Sequence, residues 1–211
     1  MNLTRNRSLL LAAFFGLAVF LLALNLVYAW RIMHKPAAAT EASAQPAPLP
    51  AFTLTDQDGK PFGSANLQGK VWVASFVFTT CRGPCPIITQ KMSQVQSLLA
   101  GTPVQMVSIS VDPENDTPPV FKAYARKFGA DETRWHFLTG TRAQVYEVVR
   151  NGFFLVIQEN GNPQKAPDEG AVIHSTRLAV VDDRGVVREY IDGTAADAPA
   201  QVQAVVRKLL P

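Results

Sequence analysis

The segment Thr79-Thr80-Cys81-Arg82-Gly83-Pro84-Cys85-Pro86 contains the only two cysteines of the chain. Two soft sulfur ligands four residues apart can close as a disulfide or hold a thiophilic metal. Cys81 follows an apolar run and Cys85 stands where a helix is expected to start. Free N–H groups and the helix dipole there favour the anionic thiolate. A lowered thiol pKa at Cys85 would serve both nucleophilic exchange and metal binding. Pro86 has no N–H to lose and presets the first helical turn. Gly83 and Pro84 allow a tight path between the sulfurs.

The spacing is Cys-x3-Cys, not the Cys-x2-Cys of common thiol oxidoreductases. The extra residue enlarges the ring and leaves room for a metal between the sulfurs. Two thiolates are too few for a closed tetrahedral zinc site, but they suit Cu(I), a soft ion comfortable with few ligands. A purely structural disulfide would close a very short loop and stabilise little through loop entropy. A third metal donor would most naturally be an imidazole, and there are three. His34 lies in an Ala/Pro-rich tether beside an apolar segment, His136 on a short strand, and His174 where a polar loop meets a strand.

These residues need elements to position them. Val71 to Phe78 is apolar and β-favouring throughout, as expected of a central strand covered on both faces. Pro86 to about Ala100 reads as a helix, with Ile87, Ile88, Val95, Leu98 and Leu99 as packing positions. Val104 to Val111 is a second buried strand. Thr117 caps a helix from Pro118 to Phe128, with Asp116 read as part of the same cap. Trp135 to Leu138 is a short strand, followed by a helix from Thr141 to near Arg150. Arg177 to Val181 and Val186 to Ile191 form a hairpin through Asp183-Arg184-Gly185, and a last helix covers about Asp197 to Leu210. At the other end, Asp58-Gly59 is the turn of an opening hairpin. Strands alternating with helices imply an α/β domain with a mainly parallel sheet. The order is that of a thioredoxin-like fold with insertions.

The N-terminal part has a different composition. Ser8 to Trp30 carries no charge. As a helix it would reach roughly 34 Å at ~1.5 Å per residue, enough to cross a hydrocarbon core of ~30 Å. The expected layout is a cytoplasmic tail 1–7, a single transmembrane helix 8–30, an Ala/Pro-rich tether 31–50 and the folded domain 51–211. A cleaved signal peptide is the competing reading, with Val27-Tyr28-Ala29 as the cleavage site. The expected location is a bacterial inner membrane, single-pass, with the domain in the periplasm, since residues 1–7 leave no room for a mitochondrial presequence. The pI near 9.0 does not signal nucleic acid. Arg5, Arg7, Arg31 and Lys35 flank the apolar segment, and from Pro36 onward 16 basic residues face 17 acidic ones. No basic stripe is left to neutralise phosphates.

The chain resembles the Sco/SenC proteins, membrane-anchored copper-binding proteins of cytochrome c oxidase assembly. The resemblance is carried by Phe78-Thr79-Thr80-Cys81-Arg82-Gly83-Pro84-Cys85-Pro86 and by Ser108-Ile109-Ser110-Val111-Asp112-Pro113-Glu114-Asn115-Asp116-Thr117-Pro118. Leu138-Thr139-Gly140 and His174-Ser175 complete it. It implies a thioredoxin-like fold that binds one copper ion, as Cu(I) and also as Cu(II), through Cys81, Cys85 and His174. It also implies delivery to the CuA site of oxidase subunit II, or reduction of that site's cysteines, or both, and it reads Asp112 to Pro118 as a structured loop near the site. Other periplasmic copper chaperones or thiol reductases are the further partners implied. The family usually carries Asp immediately before the metal-binding His; here Ile173 stands there. A carboxylate at that position would orient or tune the imidazole.

Two functions from different classes follow. One is a copper-binding and transfer protein. The other is a thiol–disulfide oxidoreductase, with Cys81 and Cys85 as the redox-active pair. A peroxidase of the peroxiredoxin kind is disfavoured, because the Thr-x-x-Cys pattern is not met.

Overall fold

The computed structural model describes residues 47–155 and 175–210, with Leu21, Leu24 and Asn25 in the N-terminal part. Met1–Gln45 and Pro46–Pro211 are two separate compact units. In the first, Leu21, Leu24 and Asn25 are helical, and the Asn25 side-chain amide donates to the Leu21 carbonyl at 2.9 Å. The rest of the expected anchor lies outside the described residues, as do most of the tether, the polar loop 159–170 and His174. Among the described residues no helix is long and apolar enough to cross a membrane.

The second unit opens with the hairpin β1 (Thr53–Thr55) and β2 (Pro61–Gly63). The Asp56 carboxylate closes its turn by accepting the Asp58 and Lys60 amides at 2.9 and 2.8 Å. Gly59 supplies the positive φ of +77° that the turn needs. A short helix α1 (Ser64–Leu67) leads to β3 (Trp72–Val77). Then follow α2 (Cys85–Leu98), β4 (Gln105–Ser110), α3 (Pro118–Lys127), β5 (Trp135–Leu138) and α4 (Arg142–Glu147). Strands β6 (Arg177–Val181) and β7 (Val187–Asp192) and helix α5 (Ala198–Leu209) complete the fold.

The main sheet runs β5-β4-β3-β6-β7. Pairs β3–β4 and β4–β5 are parallel, and β6 and β7 add antiparallel strands. This is the expected mixed α/β arrangement. Every residue of β3 is buried, because the strand has partners on both edges and helices or hairpin over both faces. Val73 and Val77 face a cluster with Ile88, Met92 and Val95 of α2, Phe121 of α3 and Val202 of α5. Trp72, Ala74 and Phe76 face the other cluster, with Leu54, Phe62, Val145 and Phe153. Ser75 points into the first cluster. Its hydroxyl pairs with Ser108 at 2.8 Å, and the Trp135 indole N–H donates to the same Ser108 oxygen at 3.0 Å.

Two expectations change. In α2, Ile87 and Leu98 are exposed, 50% and 45%, while Thr89 and Met92 are buried. The inward stripe is Cys85, Ile88, Met92, Val95 and Leu99, which follows the 3.6-residue period. The helix after Thr141 is also not uniform. Thr141 and Gln144 form a reciprocal capping box at its start. After Glu147 the helix widens into one π turn, Val148–Gly152, closed by the Phe153 amide on the Val148 carbonyl at 3.1 Å. Phe153 is then fully buried against Trp72 and Phe76. Phe154 follows at φ +50° with its side chain exposed.

Ile88→Ala should therefore lower unfolding free energy by about 2–5 kcal/mol, the range for deleting a buried aliphatic side chain. Ile87→Ala, one residue away, should change it by no more than ~0.5 kcal/mol. Urea titration of the two variants followed by circular dichroism checks the contrast.

Candidate thiol and metal site

The cysteine turn begins where β3 stops. The Cys81 amide donates to the Phe78 carbonyl at 3.3 Å, which curls the chain directly after the strand. The Gly83 amide donates to the Cys81 sulfur at 3.4 Å. Pro84 occupies the helix-start position, and its carbonyl accepts the first intrahelical bond from the Ile88 amide at 2.9 Å. Cys85 is thus the first helical residue and Pro86 the second. The structure brings Cys81 and Cys85 together as free thiols, the first half-buried and the second buried at 5% exposure.

Burial reverses the expectation for Cys85. The helix start was expected to lower its thiol pKa. Desolvation instead pushes it from 9.0 up to about 12, and the neighbouring Cys81 thiol adds to the rise. A hydrogen bond with the Phe78 backbone works in the opposite direction and does not offset the burial.

A second buried polar cluster lies beside the turn. Asp116 is fully buried. Its Oδ1 accepts the Thr79 amide at 3.0 Å and the Thr79 hydroxyl at 2.5 Å, and its Oδ2 accepts the Ser110 hydroxyl at 2.6 Å. Burial raises the Asp116 pKa, and these three donors counter the rise. The capping role expected for Asp116 and Thr117 is not what the side chains do. Thr117 has the extended backbone of a cap but makes no side-chain cap bond, and Asp116 turns inward to Thr79.

Thr89 and Tyr124 form a third contact with the site. The Thr89 hydroxyl donates to the Cys85 carbonyl at 2.9 Å and pairs with the Tyr124 hydroxyl at 3.0 Å. Since the Thr89 proton goes to the carbonyl, the phenol donates to Thr89. Burial pushes the Tyr124 phenol up to about 12, with Cys85, Cys81 and Asp116 contributing to the rise. Thr89 and Tyr124 carry no sequence signal of a site, and Ser110 is marked only by lying in the segment 108–118 that carries the family resemblance. Their types are ordinary on a buried strand or helix face, and only tertiary packing aims them at the turn.

Among the described residues no three His, Cys, Asp or Glu side chains converge as a metal site. His136 is not near the thiols. It stacks on Phe62 at 4.1 Å, and burial lowers its pKa.

The profile of the SCO1/SenC family matches residues 40–210. This chain belongs to the SCO1/SenC family. The solved SCO1/SenC family lipoprotein from Bacillus anthracis is 34% identical, covering 78% of this chain and 96% of that one, at TM-score 0.70. BsSco, described as a Sco-family cytochrome c oxidase assembly protein with a disulfide switch, is 29% identical at TM-score 0.67, covering 78% and 94%. Bradyrhizobium japonicum ScoI, solved with copper bound, is 26% identical at TM-score 0.63, covering 78% and 100%.

The two thiols should differ in reactivity. With reduced protein at pH 8, iodoacetamide should label Cys81 ahead of Cys85, as read by peptide mass spectrometry. Cys85 labelling should rise only well above pH 9, and equal rates at pH 8 would contradict its burial. The same shift has a sign for stability. Between pH 9 and about 12 the folded Cys85 keeps a proton that the unfolded thiol has released. Its contribution is complete below pH 9 and is lost as pH rises towards 12. Cys85→Ala should therefore show a shallower loss of urea resistance over that alkaline window than the parent protein.

Proposed function

We propose that this protein binds copper through Cys81, Cys85 and His174 and serves assembly of the CuA centre of cytochrome c oxidase. The observation that carries this reading is the pairing of the chain's only two thiols in one turn, in a SCO1/SenC family member. That ScoI of the same family is solved with copper bound supports the choice of metal. The donor set fits Cu(I): two sulfurs side by side, one reachable from solvent and one buried. Binding requires both sulfurs as thiolates, so it displaces the protons they hold.

The assignment of His174 is supported from its flank. Strand β6 runs antiparallel to β3 with Ala179 opposite Ala74 and Val181 opposite Trp72, so β6 begins where β3 ends. The Thr176 carbonyl accepts the Gly193 amide at 2.7 Å, and a side chain added at Gly193 would meet both Thr176 and Ile88. Residue 176 therefore lies across Gly193 from Ile88, the residue one helical turn after Cys85 in α2. A three-ligand site leaves the ion few bonds to exchange, which suits transfer to a partner's thiolates. Oxidase subunit II is the partner this reading names, with periplasmic copper chaperones or thiol reductases as further ones. The N-terminal helix 8–30 then holds the domain 51–211 at the periplasmic face of a bacterial inner membrane, by way of the tether 31–50.

The reduced protein should take up about one copper per molecule. His174→Ala should weaken binding of both Cu(I) and Cu(II) sharply, by metal analysis and absorption or electron paramagnetic spectra. Full-strength binding in that variant would remove His174 from the ligand set.

A second reading is favoured by the difference in exposure between the two sulfurs, and by the disulfide switch described for BsSco. In it the accessible Cys81 attacks a partner disulfide, and the buried Cys85 resolves the mixed disulfide. Cys85→Ser should then accumulate a covalent partner adduct on Cys81, visible on non-reducing gels. A Cys85→Ser protein that traps no disulfide-bearing partner, such as an oxidised CuA-domain polypeptide, would count against the reductase role.

A further inference from the structure

We infer that Asp116 is a positioning residue for the Cys81–Cys85 pair, holding the cysteine turn in its dithiol geometry. The inference rests on reading those two thiols as the working group. It does not depend on which ion they carry.

The geometry is that of a tether. Thr79 stands two residues before Cys81, in the short link between β3 and the turn. Both of its hydrogen-bond donors, backbone and hydroxyl, end on one oxygen of Asp116. The other oxygen takes the Ser110 hydroxyl at the end of β4. Ser110 in turn accepts the Asp112 amide at 3.0 Å, and the Asp112 carbonyl accepts the Asp116 amide at 2.9 Å. Ser110, Asp112 and Asp116 thus close a ring of hydrogen bonds within the loop before α3. That ring sets the carboxylate before it reaches across to Thr79.

A helix-capping role explains none of this, because the carboxylate's hydrogen bonds go to Thr79 and Ser110 and not to the amides of α3. Nor is a fully buried carboxylate cheap to keep unless its donors are retained. Its three donors come from two elements, and one of those elements is the cysteine turn. Forming the disulfide draws the two sulfurs to a bond length near 2 Å with a fixed dihedral, and the proposal is that the turn shifts to meet that geometry. The Asp116–Thr79 bonds stabilise the turn as it stands with free thiols, so they oppose that movement.

The test is the dithiol–disulfide equilibrium of the metal-free protein against glutathione. Cys81 and Cys85 give two electrons and two protons to glutathione disulfide. The S–S bond forms within the turn and two glutathione thiols are released. Asp116→Ala should favour the disulfide about tenfold, a shift of ~30 mV to more negative potential for this two-electron couple. Asp116→Asn keeps an oxygen for Thr79 and gains an amide that can donate to Ser110, so it should stay within about threefold of the parent. Thr79→Val deletes one donor and leaves the carboxylate, and it should fall between the two. If Asp116→Ala does not fold, Thr79→Val and Asp116→Asn still decide. An unshifted Thr79→Val, or an Asp116→Asn shift as large as that of Thr79→Val or Asp116→Ala, overturns the tether. No copper is present in the measurement. Failure of copper uptake by the parent protein would leave this result standing, and failure here would leave copper binding untouched.

Discussion

Strand β3 is paired on both edges and covered on both faces, and the site depends on that confinement. A strand with no free edge and no free face cannot shift its register without exposing a whole row of apolar side chains. Its end at Val77 is therefore fixed relative to β4 and β6. The chain must then leave the sheet, curl at Phe78, and start α2 over a defined patch of core. Ile88, Met92 and Val95 hold that helix down. Cys81 and Cys85 take their positions from the strand on one side and the helix on the other. Ser75, Ser108 and Trp135 show the same discipline inside the core, where the polar atoms of the two serines and the indole satisfy one another.

Two opposing effects meet at Cys85. A helix start draws an anion, and removal from water repels one. Here the second dominates, because the helix is packed along the stripe that begins with Cys85 itself. The sulfur that anchors the helix is thus a proton-holding thiol, and the sulfur at the turn's outer side is the accessible one. Such an asymmetric pair is consistent with a ligand set that forms in steps, and equally with an attacking and a resolving thiol. Membership of the SCO1/SenC family makes copper the ion at issue.

Much of the architecture was legible from local patterns. Asp58-Gly59 and Asp183-Arg184-Gly185 announced their hairpins, and each turn is closed by a carboxylate three residues before its positive-φ glycine, Asp56 before Gly59 and Asp182 before Gly185. The run 72–77, apolar except for Ser75, announced a strand buried on both faces. The cysteine turn stood out by residue type, two thiols in one short loop between strand and helix. Less legible was which side chains of α2 pack inward, because Ile87 and Ile88 are equally apolar and only the placement of the helix on the sheet tells them apart. The π turn after Glu147 left no local mark either. It arises where Val148, Val149 and Phe153 must all reach the same core.

The amino-acid sequence alone determined the order of elements, the hairpin turns and the pairing of the two thiols in one short loop. Each of these depends on residue type and on spacing over a few positions. The tertiary structure alone decided the state of those thiols and what holds them. Asp116 is 31 residues from Cys85 in the chain; its neighbours suggested a helix cap, and the family resemblance a structured loop near the site. Its carboxylate instead serves Thr79 and Ser110, because the parallel pairing of β3 and β4 brings the ends of both strands to one edge of the sheet. Burial and long-range hydrogen bonds are properties of the packed chain, and no short window of sequence contains them.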